Sequence, residues 1–431
     1  MLLKNGTVVT FSPSSGARID LRVQHGNIVA RAKNLSAHTG EEIVDLTGKF
    51  IFPGMVNAHT HLYSALSRGM SGPKQSPKNF VDILKKIWWK LDESLDEESI
   101  YYSALVGSID AMKFGTTTLI DHHASPNRIY GSLDIIKNAM SQVGLRGILC
   151  YETTDRGGHK RCEEGLEENQ RFVTENVNNP KFRGTMGAHA SFTLSDDTMQ
   201  ALGELATLHD CGVHIHVAED KADVRDSLKR HGVGLVKRLV KFELLSRKSI
   251  LAHGVHLSAS ELARVAQTGA WMVHNPRSNM NNAVGYAPLQ WFGEHSALGT
   301  DGFPADMFEE SKLGFFRNQE SDHKVGFIRL PEMLQAGQRL VSIFFGREFG
   351  RLKVGTPADL IVLDYIPPTP LNAGNLLGHF LFGMNSGMVE SVMVNGEWRM
   401  VNGELIGIDE EKVMGEAAKA AKKLWARMSK R

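Results

Sequence analysis

Three short segments carry side chains that bind divalent metals: His59-Thr60-His61, His216 with Glu219, and Asp301. Imidazole and carboxylate are the donors such an ion takes at neutral pH. Two histidines at i and i+2 of an extended chain point to the same side, so His59 and His61 would reach one ion from one strand. Each segment lies at or near the end of an apolar run. Residues 51–56 lead into the first pair, 212–217 contain His216, and 297–300 deliver Asp301. One His-x-His matches easily by accident, but three ligand-bearing segments, each at a strand end, do not.

Something must hold those strand ends together. Apolar strand candidates follow at 116–121, 145–151, 183–188, 213–217, 249–252, 271–274 and 297–300, separated by amphipathic stretches such as 199–208 and 259–266. With the segment ending at His61 they make eight strands in a βα alternation, which predicts an α/β chain folded as a (β/α)8 TIM barrel. The alternative is a doubly wound sheet, which often carries a Gly-rich phosphate loop, and the sequence has none. Barrel enzymes keep their sites at the C-terminal strand ends, where these polar residues cluster. Both chain ends have a different texture, with short strands and tight turns such as Asn5-Gly6, Gly26-Asn27, Asn395-Gly396 and Asn402-Gly403. The expected organisation is a small β-sandwich domain from residues 1–54 and 352–407, a metal-dependent barrel at 55–351, and a C-terminal helix at 408–431. The helix places Val413, Ala417, Ala421, Leu424, Trp425 and Met428 on one packing face.

With 431 residues the chain is too long for one small core. Lys and Arg number 49 against 48 Asp and Glu, a formal net charge of +1, which argues against nucleic acid or an anionic membrane as partner. No apolar run approaches the ~18 residues of a membrane span, and the N-terminus lacks signal-peptide features. Cys150, Cys162 and Cys211 are scattered, which suits buried thiols in a reducing, cytoplasmic setting.

Residues 53–61, Pro-Gly-Met-Val-Asn-Ala-His59-Thr-His61, resemble the first-strand motif of the amidohydrolase superfamily. His214-Ile-His216-Val-Ala-Glu219, Leu251-Ala-His253-Gly254 and Gly299-Thr-Asp301-Gly302 resemble its later motifs, in its order. Gly355-Thr-Pro-Ala-Asp359-Leu360 resembles its return to the β domain. The resemblance spans essentially the whole chain and is closest to the deaminase and chlorohydrolase branch with one metal. Trp88-Trp89-Lys90-Leu91-Asp92, Asp121-His122-His123 and Asn279-Met280-Asn281-Asn282 are similar to the aminohydrolases called SsnA.

The resemblance implies one divalent metal ion held by His59, His61, His216 and Asp301, with Zn2+ as the default and Fe2+ as its competitor. Such an ion lowers the pKa of water from about 15.7 toward ~7. Two-metal relatives carry a modified Lys at the end of strand four. Here that strand runs through Arg183 to His189 with no Lys at its end, so one metal is expected. Glu219 would be the proton shuttle and His253 would orient the attacking water, with Asp301 beside them. His189 would hydrogen-bond the substrate. His123, Glu152, Arg277 and Asn279, with His122, Arg156 and Asn275 behind them, could read the edge of a heterocycle. Tyr63, Trp88, Trp89 and Phe192 could stack on it, although adjacent Trp88 and Trp89 on an α-helix are not expected to share one pocket. The loop 69–86 should shape one wall.

The implied function is hydrolytic deamination of a small nitrogen heterocycle of purine, pterin or pyrimidine type, with release of ammonia. Rivals are a chlorohydrolase, an amide hydrolase or a silent metal-binding protein. Chlorohydrolase relatives commonly lack the shuttle, since halide leaves without a proton, so Glu219 favours deamination. Zinc deaminases of the other design need Pro-Cys-x-x-Cys, which is missing. Association into a homo-oligomer is left open.

Overall fold

The computed structural model describes residues 1–11, 13–321, 326 and 329–431. Eight parallel strand positions form the barrel. In order they are Met55–Thr60, Thr116–His123, Arg146–Tyr151, a split fourth position, Val213–Val217, Ile250–His253, Trp271–His274 and Ser296–Leu298. The fourth position was expected as one strand over 183–188. It is two pieces: Phe182–Gly184 pairs with strand three, and Met186–Ala190 pairs with strand five. The gap is bridged through Thr153, whose N–H donates to Gly187 O at 3.1 Å and whose carbonyl accepts from His189 N at 3.0 Å. Glycine at 187 is a steric requirement, because a Cβ there would lie 2.1 Å from Tyr151 O.

The other closure joins strand eight to strand one. Thr300 N and Asp301 N both donate to His59 O at 3.0 Å, and His61 N donates to Asp301 O at 3.2 Å. Below them the Asn57 side chain donates to Thr300 Oγ1 at 2.6 Å and accepts from Thr300 N at 3.0 Å. A Cβ at Gly299 would sit 2.8 Å from His59 O, so this approach also needs glycine. Parity along strand one sorts its residues. Val56 and Ala58 join the apolar cluster with Leu340 and Val341 of helix Arg329–Phe345, while Asn57, His59 and His61 face the interior.

The connecting helices carry clear start signals. Asp96 and Ser99 form a capping box ahead of Glu97–Lys113, and Ser258 with Glu261 forms another ahead of Ala259–Thr268. The chain ends build two sheets. One has the order Glu404–Leu405, Glu397–Val401, Val389–Val394, Leu360–Leu363, Phe50–Pro53, Thr7–Phe11 and Ser14–Arg18. The other runs Asn27–Ala32, Asp20–Gln24, Leu2–Lys4 and Ile43–Asp45. Leu3, Leu21 and Ile28 of the smaller sheet meet Val8, Ile51, Leu360 and Val362 of the larger in one apolar core. Helix Glu410–Met428 buries Ala417, Ala421 and Leu424, and Trp425 donates its indole N–H to Leu66 O at 2.9 Å. No helix among the described residues is long and apolar enough to cross a membrane.

Candidate active site

At the C-terminal mouth of the barrel His59, His61, His216 and Asp301 offer ligand atoms that all lie within 4.8 Å of one another. His61 Nε2 is 3.1 Å from His216 Nε2 and 2.8 Å from Asp301 Oδ1, and His59 Nε2 is 3.5 Å from the same oxygen. The far ring nitrogens are already used. His61 Nδ1 donates to His122 O at 2.6 Å and His216 Nδ1 to His189 O at 2.8 Å. Those bonds put hydrogen on Nδ1 and leave Nε2 lone pairs converging on a carboxylate, which only a cation or a proton reconciles. His59 Nε2 is buried with no hydrogen-bond partner, as a ligand nitrogen would be. Burial works to push the His61 ring down, yet the hydrogen bond and charge of Asp301 prevail and raise it to about 9. Burial also opposes ionisation of Asp301, but the His59 and His61 rings beside it, 3.5 and 2.8 Å from Oδ1, hold the carboxyl well below the carboxylate range. The donor set thus fits one divalent ion.

His253 and Glu219 stand beside this cluster, next to its Asp301. His253 Nε2 lies 3.5 Å from Glu219 Oε2 and 4.0 Å from Asp301 Oδ2. Burial, with Asp301 nearby, raises the Glu219 carboxyl to about 7 against the pull of His253. His253 and Asp301 adopt φ of +75° and +55°, left-handed conformations at their strand ends that non-glycine residues rarely take. Ala218, just before Glu219, has φ of +49° and is held by Asp223, whose carboxylate accepts from Ala218 N at 2.9 Å and Phe192 N at 3.1 Å.

One short helix, Pro276–Asn281 with Asn282 behind it, reaches all three groups. Ser278 Oγ donates to Asp301, Asn279 Oδ1 accepts from His253 Nδ1 at 2.9 Å, and Asn282 Nδ2 donates to Glu219 Oε1 at 3.2 Å. Asn279 therefore orients His253 instead of facing a substrate. Arg277 does not reach the cavity either. Its guanidinium binds Glu309, Glu310 and Pro304 O behind the helix. His123 is buried with Nε2 on Ser125 Oγ at 2.8 Å, outside the cavity lining.

The cavity above the cluster has a volume of about 300 Å³. His189 and Glu152 line it, as the sequence predicts. His189 is fixed by Thr193 Oγ1 at 2.8 Å, and Glu152 lies 3.5 Å from His122 Nδ1 and 3.2 Å from Arg156. Phe80 and Leu84, from the segment expected to form a wall, do line it, although residues 80–83 are helical rather than loop. Both Trp88 and Trp89 line it too. The chain makes a π turn over Leu84–Trp88, and in this wider turn successive side chains are rotated less than in an α-helix. Asp92 enters the sequence reading only as the end of the segment 88–92, with no role given to it. Its Oδ2 accepts from Arg156 at 3.1 Å, while its Oδ1 is buried without a hydrogen-bond partner on the cavity wall. Only its place beside the two tryptophans hinted at this.

Residues 50–399 match the Amidohydrolase family. The chain belongs to that family. It is 29% identical to a 5-methylthioadenosine/S-adenosylhomocysteine deaminase of Pyrococcus furiosus, over 97% of this chain and 99% of that one. It is 28% identical to a 5'-deoxyadenosine deaminase of Methanosarcina mazei, over 100% of this chain and 99% of the relative. A crystal structure of an adenosine deaminase from Xanthomonas campestris with bound zinc superposes with a TM-score of 0.86, at 22% identity, over 99% of this chain and 98% of that one. The fold expected from the strand alternation is thereby shown.

Proposed function

We propose that this protein is a zinc-dependent aminohydrolase that deaminates the purine ring of an adenine-type nucleoside and releases ammonia. The observation that carries the reading is the buried Glu219 carboxyl, raised to about 7, beside His253 and Asp301 at the edge of a four-donor metal cluster. The names of the curated relatives support the purine nucleoside.

His59, His61, His216 and Asp301 would hold the divalent ion, which when bound would supply the Lewis acidity that makes water reactive at neutral pH. Glu219 takes a proton from that water and gives it to the ring nitrogen next to the amine-bearing carbon. A carboxyl near pH 7 suits both halves of that transfer. Asp301 and His253 hold the attacking oxygen in place, and Ser278 and Asn279 hold them. His189 and Glu152 are placed to read the heterocycle edge. Asp92 Oδ1 lacks a donor, and sugar hydroxyls are donors. Halide leaves without a proton, whereas an amine must gain one, so a retained Glu219 favours deamination over the chlorohydrolase reading. Three free, buried cysteines support a reducing, cytoplasmic location.

The test is an ammonia-release screen over adenine nucleosides, free purines, pterins and pyrimidines, with zinc-loaded and iron-loaded protein. Ammonia from the nucleosides is expected. No ammonia from any compound with either metal would refute the function, and activity on pterins or pyrimidines alone would refute the substrate class.

A further inference from the structure

His61 and His216 give their Nδ1 hydrogens to main-chain carbonyls. A carbonyl only accepts, so it fixes the tautomer that leaves Nε2 free for a ligand bond. His59 has no such anchor. Its Nδ1 lies 2.8 Å from His214 Nε2, and a ring nitrogen can donate or accept. The choice passes to the other side of the His214 ring, where Nδ1 lies 3.7 Å from Cys150 Sγ. That thiol lies 3.6 Å from the main-chain carbonyl of Asp121.

A hydrogen chain ending on a carbonyl has one direction. The Cys150 S–H goes to Asp121 O, and the sulfur accepts from His214 Nδ1. His214 Nε2 then accepts from His59 Nδ1, and His59 Nε2 keeps its lone pair toward the cluster. The reverse direction leaves the Asp121 carbonyl without the thiol and puts hydrogen on His59 Nε2, where it blocks a ligand bond. His59, His214 and Cys150 are fully buried, so water cannot stand in for a missing link.

We infer that His214 and Cys150 are positioning residues which set the metal-binding tautomer of His59, so that all three histidine ligands are oriented by main-chain carbonyls, two directly and one through this relay. The inference rests on the metal centre proposed above. It is independent of the substrate.

Three variants test it: His214→Leu, His214→Gln and Cys150→Ala. Zinc affinity is read by chelator competition, and coordination by the visible spectrum of the cobalt-loaded protein. His214→Leu should bind zinc about 10- to 100-fold more weakly, the usual effect of losing a partner behind a ligand. His214→Gln should recover most of the loss, because its amide oxygen accepts from His59 Nδ1. Cys150→Ala should fall between. A folded His214→Leu protein with wild-type affinity and cobalt spectrum would overturn the inference, as would a Gln variant no better than Leu. If His214→Leu does not fold, Cys150→Ala decides, and unchanged zinc affinity there overturns it. Failure of the ammonia screen with normal zinc binding would remove the proposed function and leave this inference standing.

Discussion

Replacing Glu219 by Gln changes the protonation chemistry of the site while preserving its shape. The amide oxygen can keep the bond from Asn282 Nδ2 now made at 3.2 Å, and the amide nitrogen takes the place of Oε2, 3.5 Å from His253 Nε2. Glu219 lies outside the four-donor cluster, so metal content should not change. What disappears is the proton transfer, worth roughly 10²- to 10⁴-fold in rate. The same substitution has an opposite effect on stability. The carboxyl stands at about 7 in the folded chain against an ordinary 4.5, and each pH unit corresponds to about 1.36 kcal/mol. As pH rises between these values the unfolded chain releases its proton first, so folding loses up to ~3 kcal/mol, fully by pH 8. Gln carries no such penalty. The metal-free Glu219→Gln protein should therefore melt higher than wild type at pH 8, with the gain vanishing below about pH 4. The paired assay is ammonia release on zinc-loaded protein and thermal unfolding of metal-free protein across pH. A variant within tenfold of wild-type turnover would refute the shuttle, and an equal melting temperature at pH 8 would refute the burial argument.

Asp301→Ala should lose bound metal, read by elemental analysis of purified protein, with strands one and eight still paired through main-chain bonds. Zinc uptake at pH 8 should release between about one and two protons, one because His61, raised to about 9, must give up its hydrogen to bind, and the rest from ionisation of the bound water; calorimetry in buffers of different ionisation enthalpy measures it. Asp92→Ala should raise KM for nucleosides about tenfold more than KM for free bases, the cost of one lost hydrogen bond to a sugar hydroxyl. Arg277→Met should lower stability by about 3–5 kcal/mol, because it strands the buried Glu310 carboxylate; denaturant unfolding checks this, and KM should hold.

The metal cluster was legible because each ligand is announced locally, by an imidazole or carboxylate at or beside the end of an apolar strand. Eight such strands also announce the barrel. Partnership across the fold is less local. Nothing near Arg277 says that Glu309 and Glu310 will occupy its guanidinium, nor anything near Asn279 that His253 will claim its oxygen. The tryptophan pair misled through backbone geometry, since a π turn is invisible to a pattern read at α-helical spacing. Asp92 was passed over because a carboxyl becomes informative only once one oxygen is known to be buried and empty-handed.

The seam that closes the barrel runs through the metal donors themselves, with Asp301 N on His59 O and His61 N on Asp301 O. The first and last barrel strands are thus the two halves of one clasp. During synthesis, a chain still short of Asp301 would already hold all three histidines, yet it would lack both the fourth donor and the strand that closes the ring. The four-donor set is therefore complete only when the ring shuts. From then on a bound ion fastens together chain positions far apart in sequence, and opening the barrel at this seam would mean surrendering the ion first.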